Sequence, residues 1–231
     1  MSDHAVSAAG PPAVAATRVK ICGVTNVADA TFAADAGAWA IGMVFDEASP
    51  RACALDQAAA VGAALRRRVE LAGVFVNAPL DRIAGVAEHA ALTLVQLHGD
   101  EGPAFCNEVA RRTGARVIKA FSVADAGDVR DAERFHVDFH LMDARGAPGA
   151  PRGGTGHAFD WTLLEERRSA VPLILAGGIT AANAGEAIAR VHPFALDSAS
   201  GTDSSPGHKD PARVRALIAA AGGAGTLAGH T

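Results

Sequence analysis

Eight short apolar runs punctuate the chain: VKIC (19–22), AIGMVF (40–45), LAGVFV (71–76), LVQLH (94–98), RVIKAF (116–121), FHLMD (139–143), PLILAG (172–177) and FALDS (194–198). Most are nearly continuous rather than alternating, the pattern of parallel strands covered on both faces. The stretches between them follow helical spacing. Pro79 to Ala90 sets Leu80, Ile83, Ala87 and Ala90 on one face. Asp210 and Pro211 predict the N-cap and first turn of a last helix carrying Val214, Leu217 and Ile218. Thr180 predicts a cap for a helix over 181–191, and Asp160 one for 161–168, while 125–134 has the poorest apolar spacing. The run Arg66 to Arg68 reads as a helix end, where cations complement the dipole.

Eight strands, each followed by a helix, predict an α/β fold: a single (β/α)8 barrel of eight parallel strands with right-handed crossovers. A doubly wound open sheet competes. Its nucleotide-binding versions carry GxGxxG after the first strand, where this chain reads CGVTN (22–26). The expected organisation is a disordered Ala/Pro/Gly-rich leader over 1–17, a barrel domain over 18–221 and a flexible tail over 222–231. The leader lacks the basic start and apolar core of a signal peptide.

Composition narrows the class. The chain has 231 residues, 49% hydrophobic and 20% charged, with a formal net charge of −4. That balance, without long Lys/Arg runs, argues against nucleic-acid binding, and no apolar run approaches membrane-spanning length. Cys22, Cys53 and Cys106 are widely spaced and odd in number and show no metal spacing or disulfide framework, so a reducing, cytoplasmic setting is expected.

In a barrel, chemistry sits at the C-terminal ends of the strands. Those ends here are Cys22, Phe45, Asn77, His98, Phe121, Asp143, Gly177–Gly178 and the segment 197–201. A thiol and a carboxylate brought to one rim form a candidate base and acid. Each also has a plain structural reading: Cys22 as a small core hydrophobe, Asp143 as a rim carboxylate paired with Arg145.

The segments KICGVTN (20–26), SPR (49–51), GVFVN (73–77), QLHGDE (96–101), KAF (119–121), LMD (141–143), GGTG with FDW (153–161), LAGGI (175–179) and PGHKD (206–210) together resemble the phosphoribosylanthranilate isomerase family. The resemblance runs in order from about residue 19 to 220. It implies the same barrel and a cofactor-free, metal-free Amadori rearrangement of N-(5-phosphoribosyl)anthranilate in tryptophan biosynthesis, by a monomer or homodimer. By correspondence Cys22 is the base and Asp143 the acid. Arg51 would grip the anthranilate carboxylate. Gly177, Gly178, Ser200 and Gly201 would bring backbone N–H groups to the phosphate, with GGTG (153–156) shaping a neighbouring loop. His98 would orient a neighbour or touch substrate.

The assigned roles carry physical demands. A thiol with a reference pKa of about 8.5 needs a cation nearby, and a carboxyl near 3.9 needs desolvation to hold its proton. Lys20, two residues before Cys22, is one source of that cation.

The chain departs from the family in two places. DSASGTD (197–203) stands where the family reads close to DVSSGVE, and Ala52 and Cys53 follow SPR in place of a bulky residue, which is expected to loosen that loop. Cys53 and Cys106 match no catalytic position. The alternatives are another sugar-phosphate isomerase barrel, whose bifunctional members use two aspartates, and a noncatalytic phosphometabolite-binding barrel.

Overall fold

The computed structural model describes residues 16–144 and 160–227. Strands β1 (Arg18–Cys22), β2 (Ala40–Val44), β3 (Glu70–Phe75), β4 (Leu94–Leu97), β5 (Arg116–Val123), β6 (Phe139–Ala144), β7 (Leu173–Leu175) and β8 (Ala195–Ser198) pair in parallel and in chain order, and β8 returns to β1. All eight expected strands are present in a closed barrel. Helices α1 (Val27–Asp35), α2 (Leu55–Leu65), α3 (Leu80–His89), α4 (Pro103–Thr113), α5 (Ala126–Ala132), α6 (Ala184–Val191) and α7 (Pro211–Leu227) follow the strands. Between β6 and β7 the described residues contain only a 3₁₀ turn, Trp161–Leu164, capped by Asp160, which accepts the Thr162 N–H at 3.0 Å. GGTG (153–156) and Arg145 lie outside the described residues.

The continuous apolar runs have a simple cause. Residues facing in, such as Ala40, Ala72, Leu94, Ile118, Leu141 and Ile174, pack with one another inside the barrel. Their neighbours facing out, such as Ile41, Met43, Leu71, Phe75 and Val95, pack beneath the helices. Both faces are dry, so alternation disappears from the sequence. At the N-terminal end of the strands an aromatic cluster fills the barrel: Trp39 meets Phe139 and Phe194 edge-on, at centroid distances of 5.6 and 5.2 Å. Higher in the barrel, β1 and β2 present Lys20, Cys22 and Gly42 inward, Cys22 in register with Gly42. The polar interior therefore opens toward the C-terminal ends.

Some boundaries differ from expectation. Helix α6 begins at Ala184, not 181, because Asn183 is occupied with the preceding turn: its Oδ1 accepts the Thr180 N–H at 2.9 Å and its Nδ2 donates to the Gly178 carbonyl at 3.0 Å. Helix α7 begins as expected, with Asp210 Oδ1 accepting the N–H groups of Ala212 and Arg213, but it continues to Leu227, into the segment expected to be a flexible end. Glycine costs a helix only about 1 kcal/mol per residue, and no proline interrupts the run. A two-stranded hairpin, β9 (Asp203–Ser205) and β10 (His208–Lys209), follows β8 and a 3₁₀ turn at Ser200–Thr202. The apolar pattern does not predict it.

Candidate active site

Strand β1 stops at Cys22 because Gly23 adopts φ +76° and Asn26 caps α1, accepting the Asp29 N–H at 2.8 Å. Alternation along β1 then directs Cys22 and Lys20 to the same interior face. Lys20 is fully buried, and its Nζ lies 2.9 Å from Asp197 Oδ1 at the end of β8. The thiol and the ammonium meet over Gly42: a Cβ built there would fall 2.8 Å from Cys22 Sγ and 3.0 Å from Lys20 Nζ. The space a side chain would fill on β2 holds the two reactive heads instead.

The electrostatics follow from this packing. Burial pushes the Cys22 thiol up; the Lys20 charge is the strongest influence pulling it down, with Lys209 acting the same way and Asp197 opposing. Burial would lower the Lys20 ammonium, but Asp197 and then Cys22 hold it above the ordinary lysine range, so it stays charged. Lys20 is thus the cation the thiol requires.

Removing it has a predictable cost. Lys20→Met leaves the buried Asp197 carboxylate without its ammonium, and the expected loss is about 3–5 kcal/mol of folding stability. Chemical denaturation reads it directly. Asp197→Asn in the same background should recover part of that loss by removing the stranded charge. A single-variant loss under about 1 kcal/mol would mean water already solvates the pair, as at an exposed bridge.

Asp143 ends the inward face of β6 and is buried. Burial, reinforced by the Asp197 charge, raises its carboxyl to about 7, against the Ala144 backbone N–H and Lys20. Its Oδ1 has no hydrogen-bond partner among the described residues. Its Oδ2 faces His98 Nε2 at 3.6 Å, beyond hydrogen-bond length. On the other side of that ring, Gln96 Nε2 lies 3.1 Å from His98 Nδ1. With the amide as donor, the imidazole proton sits on Nε2, facing the carboxylate. Behind His98 the GDE turn is fastened by a buried pair: Lys119 Nζ meets Glu101 Oε2 at 3.0 Å, and the two Glu101 oxygens accept the N–H groups of Asn77 and Gly99.

Arg51 rises from the loop after β2. That loop is not loosened by Ala52 and Cys53: Ala52 bridges to Val44, and the Cys53 N–H donates to the Val44 carbonyl at 2.8 Å, so small residues let the chain fold back onto β2. The Arg51 stem crosses Gly23, and its Nε donates to Asp203 Oδ2 at 2.8 Å. Cys53 and Cys106 are buried, and desolvation pushes both thiols to about 11, as suits structural cysteines.

The loops after β7 and β8 come together. Gly177 and Gly178 have φ +82° and +63°. Gly177 lies against Asp143, where a Cβ would stand 3.0 Å from Oδ1. Gly178, Ser200 and Gly201 line a cleft of about 490 Å³ with Thr180 and Arg213. Gly201 packs so closely on Ile179 that a side chain would overlap its carbonyl. Ser198, one of the departures from the family pattern, donates its hydroxyl to that same carbonyl at 2.7 Å, joining the two loops. Ala199 contributes its carbonyl to Lys209, which needs no particular side chain. Among the described residues no cluster of His, Cys, Asp and Glu could hold a metal ion, and no helix is long and apolar enough to cross a membrane.

The structure thus gathers Cys22, Asp143 and His98 with the Lys20–Asp197 pair inside the barrel end, and sets Arg51 and the cleft of Gly178, Ser200 and Gly201 around it. Sequence reasoning gave no role to Asp197, Asp203, Lys209 or the Lys119–Glu101 pair. Spacing offered a signal only for Lys20, through its alternation with Cys22.

Comparison with known proteins places the chain in a family. The family model described as N-(5'phosphoribosyl)anthranilate (PRA) isomerase matches residues 19–220. The chain is 46% identical over 206 residues to an N-(5'-phosphoribosyl)anthranilate isomerase of Geobacter sulfurreducens, covering 89% of this chain and 98% of that one. It is 45% identical over 207 residues to the protein of that name from Azotobacter vinelandii, with coverages of 89% and 97%. Among solved structures, phosphoribosyl anthranilate isomerase from Thermotoga maritima superposes with a TM-score of 0.81 at 37% identity, covering 90% of this chain and 99% of that one. A second, described as this isomerase in complex with reduced 1-(o-carboxyphenylamino)-1-deoxyribulose 5-phosphate, has a TM-score of 0.77 at 36% identity, with coverages of 90% and 99%. A barrel of this topology, matched over nearly its whole length at these identities, belongs to the N-(5'-phosphoribosyl)anthranilate isomerase family.

Proposed function

We infer that the chain catalyses the Amadori rearrangement of N-(5-phosphoribosyl)anthranilate to 1-(2-carboxyphenylamino)-1-deoxyribulose 5-phosphate, with Cys22 as base and Asp143 as acid. The observation that carries this reading is the buried Lys20–Asp197 pair, which acts on both groups: its ammonium draws the Cys22 thiol down, and its carboxylate pushes the Asp143 carboxyl up. Asp143 gives its proton to the ribose ring oxygen, and the ring opens to an iminium. The Cys22 thiolate takes the C2 proton, leaving an enolamine. C1 then gains a proton and the C2 hydroxyl loses one, so the ketone forms and both groups return to their starting states. No oxidant or carrier is consumed.

The rest of the site suits the two ends of this substrate. The guanidinium of Arg51 matches an aryl carboxylate, and the cleft at Gly178, Ser200 and Gly201, which Arg213 also lines, matches a phosphate. Gly177 supports the cleft turn and leaves room for Asp143, and His98 orients the acid. The setting is cytoplasmic, in keeping with three buried cysteines that are all unpaired. A sugar-phosphate isomerase acting on a substrate without an aryl carboxylate would find no ligand carboxylate to pair with the Arg51 guanidinium.

The test is the loss of fluorescence when purified protein meets freshly generated phosphoribosylanthranilate. The expected result is decay well above the spontaneous rate, proportional to enzyme. Decay at the spontaneous rate, in protein that still binds the reduced product analogue, would turn the reading toward a noncatalytic barrel.

A further inference from the structure

The hairpin that follows β8 has no part in the chemistry above, yet it is fastened to the site at several points. Lys209 is buried and donates from Nζ to the Cys22 carbonyl at 2.6 Å, to the Ala199 carbonyl at 3.2 Å and to Asp203 Oδ1. Its backbone N–H donates to Asp29 Oδ2 at 2.9 Å, and the Thr25 hydroxyl donates to the Gly207 carbonyl at 2.7 Å. The hairpin is thereby locked to the turn between β1 and α1, the turn that begins directly after Cys22. The other oxygen of Asp203, Oδ2, takes Arg51 Nε at 2.8 Å, with both side chains largely buried. The Arg51 stem returns across Gly23, where a Cβ would fall 2.5 Å from its Cδ. The contacts close into a ring: Cys22, Gly23, Arg51, Asp203, Lys209 and back to the Cys22 carbonyl.

A guanidinium presents its donors in one plane. Among the described residues Asp203 is the only side-chain partner of the Arg51 guanidinium, and it is bound through Nε, at the edge nearest the chain. The outer edge, with both Nη atoms, is left for a ligand carboxylate to take bidentately. An arginine on a surface loop would lose several rotatable bonds of freedom on binding; this one is already ordered, so a ligand gains the fork without that cost.

We propose that Asp203, anchored by Lys209, is a positioning residue that sets the carboxylate-binding edge of Arg51 at a fixed place relative to Cys22. It touches no substrate atom. This rests on the reading of Arg51 as the anthranilate carboxylate ligand. It adds that selectivity for the aryl carboxylate is built from the hairpin as much as from the arginine.

Asp203→Asn keeps the shape but weakens the charge-assisted bond to Nε. The expected result is a KM for phosphoribosylanthranilate raised about tenfold, the effect of one lost charge-assisted hydrogen bond. Affinity for ribulose 5-phosphate, which has a phosphate but no aryl carboxylate, should stay unchanged. Adding Arg51→Lys to Asp203→Asn should cost less than Arg51→Lys costs alone, because the fork is already misplaced. Asp203→Glu keeps the carboxylate and should recover part of the lost affinity. If Asp203→Asn fails to fold because Lys209 is stranded, combining it with Lys209→Gln removes both charges, and the same two ligands are compared.

The outcomes separate cleanly. An unchanged KM for Arg51→Lys alone would overturn the reading of Arg51. A raised KM for Arg51→Lys beside an unchanged KM for Asp203→Asn would overturn the positioning role only. Equal weakening of both ligands would also overturn it, leaving Asp203 with a merely structural part.

Discussion

Cys22→Ala should fold, bind the reduced product analogue with near-normal affinity, and turn over about two to four orders of magnitude more slowly, the range of a positioned base. The reasons are local. The thiol sits over Gly42 beside the Lys20 ammonium, and truncation to alanine removes one atom there and adds none. It anchors no part of the ligand in the proposed mechanism, so its removal affects the proton transfer and not the binding. Cys22→Ser should be almost as slow. A hydroxyl is far less acidic than a thiol, and the Lys20 charge that helps a thiolate cannot bring an alkoxide within reach at neutral pH. Turnover, analogue affinity and thermal unfolding measured on one preparation settle the matter. Near-normal turnover in either folded variant would take the base away from Cys22 and return it to the role of a small buried hydrophobe.

Much of this was legible in the sequence because of how a parallel barrel buries its strands. Runs such as AIGMVF and LAGVFV are apolar at every position because Ala40 and Ala72 face the interior while Ile41 and Leu71 face the helices. The catalytic candidates were legible for a related reason: once the strands are placed, Cys22 and Asp143 fall at their C-terminal ends. What the pattern hid is the polar machinery around them. Asp203 and Lys209 lie on strands of three and two residues, too short and too polar to show any periodicity. The Lys119–Glu101 pair joins β5 to the turn after β4, a contact no local spacing announces. At 180–183 two residues are both good caps, Thr180 and Asn183, and only the turn itself decides where α6 begins. Ser198 shows the converse case. It breaks the family pattern, and the structure finds it tying the two phosphate-loop candidates together through the Ile179 carbonyl.

Asp143→Asn should lower turnover by about two or more orders of magnitude while leaving analogue binding largely intact, since asparagine matches the carboxyl in shape but cannot deliver its proton. Stability separates an acid from a rim carboxylate by sign. The buried carboxyl is raised to about 7, against about 3.9 in an unfolded chain. Between those values the folded state holds a proton that the unfolded state has lost, so this group's contribution to stability falls as pH rises from about 4 to about 7 and then levels off. Asp143→Asn removes that penalty and should make the protein more stable than the parent at pH 8, with little difference at pH 4. A carboxylate held low by an ion pair would give the opposite result, a loss at pH 8. The rate profile carries the same distinction. Because the acid titrates below the buried thiol, the reactive form is the minority one of the singly deprotonated pair, with Asp143 protonated and Cys22 ionised. The parent's kcat/KM should therefore rise through about pH 7 and fall only above the thiol's own titration. In Asp143→Asn the step near 7 should vanish, and the residual rate should climb with thiol ionisation alone. A variant that keeps the step near 7, or turns over like the parent, would remove Asp143 from the proton path and leave the ring oxygen to another acid.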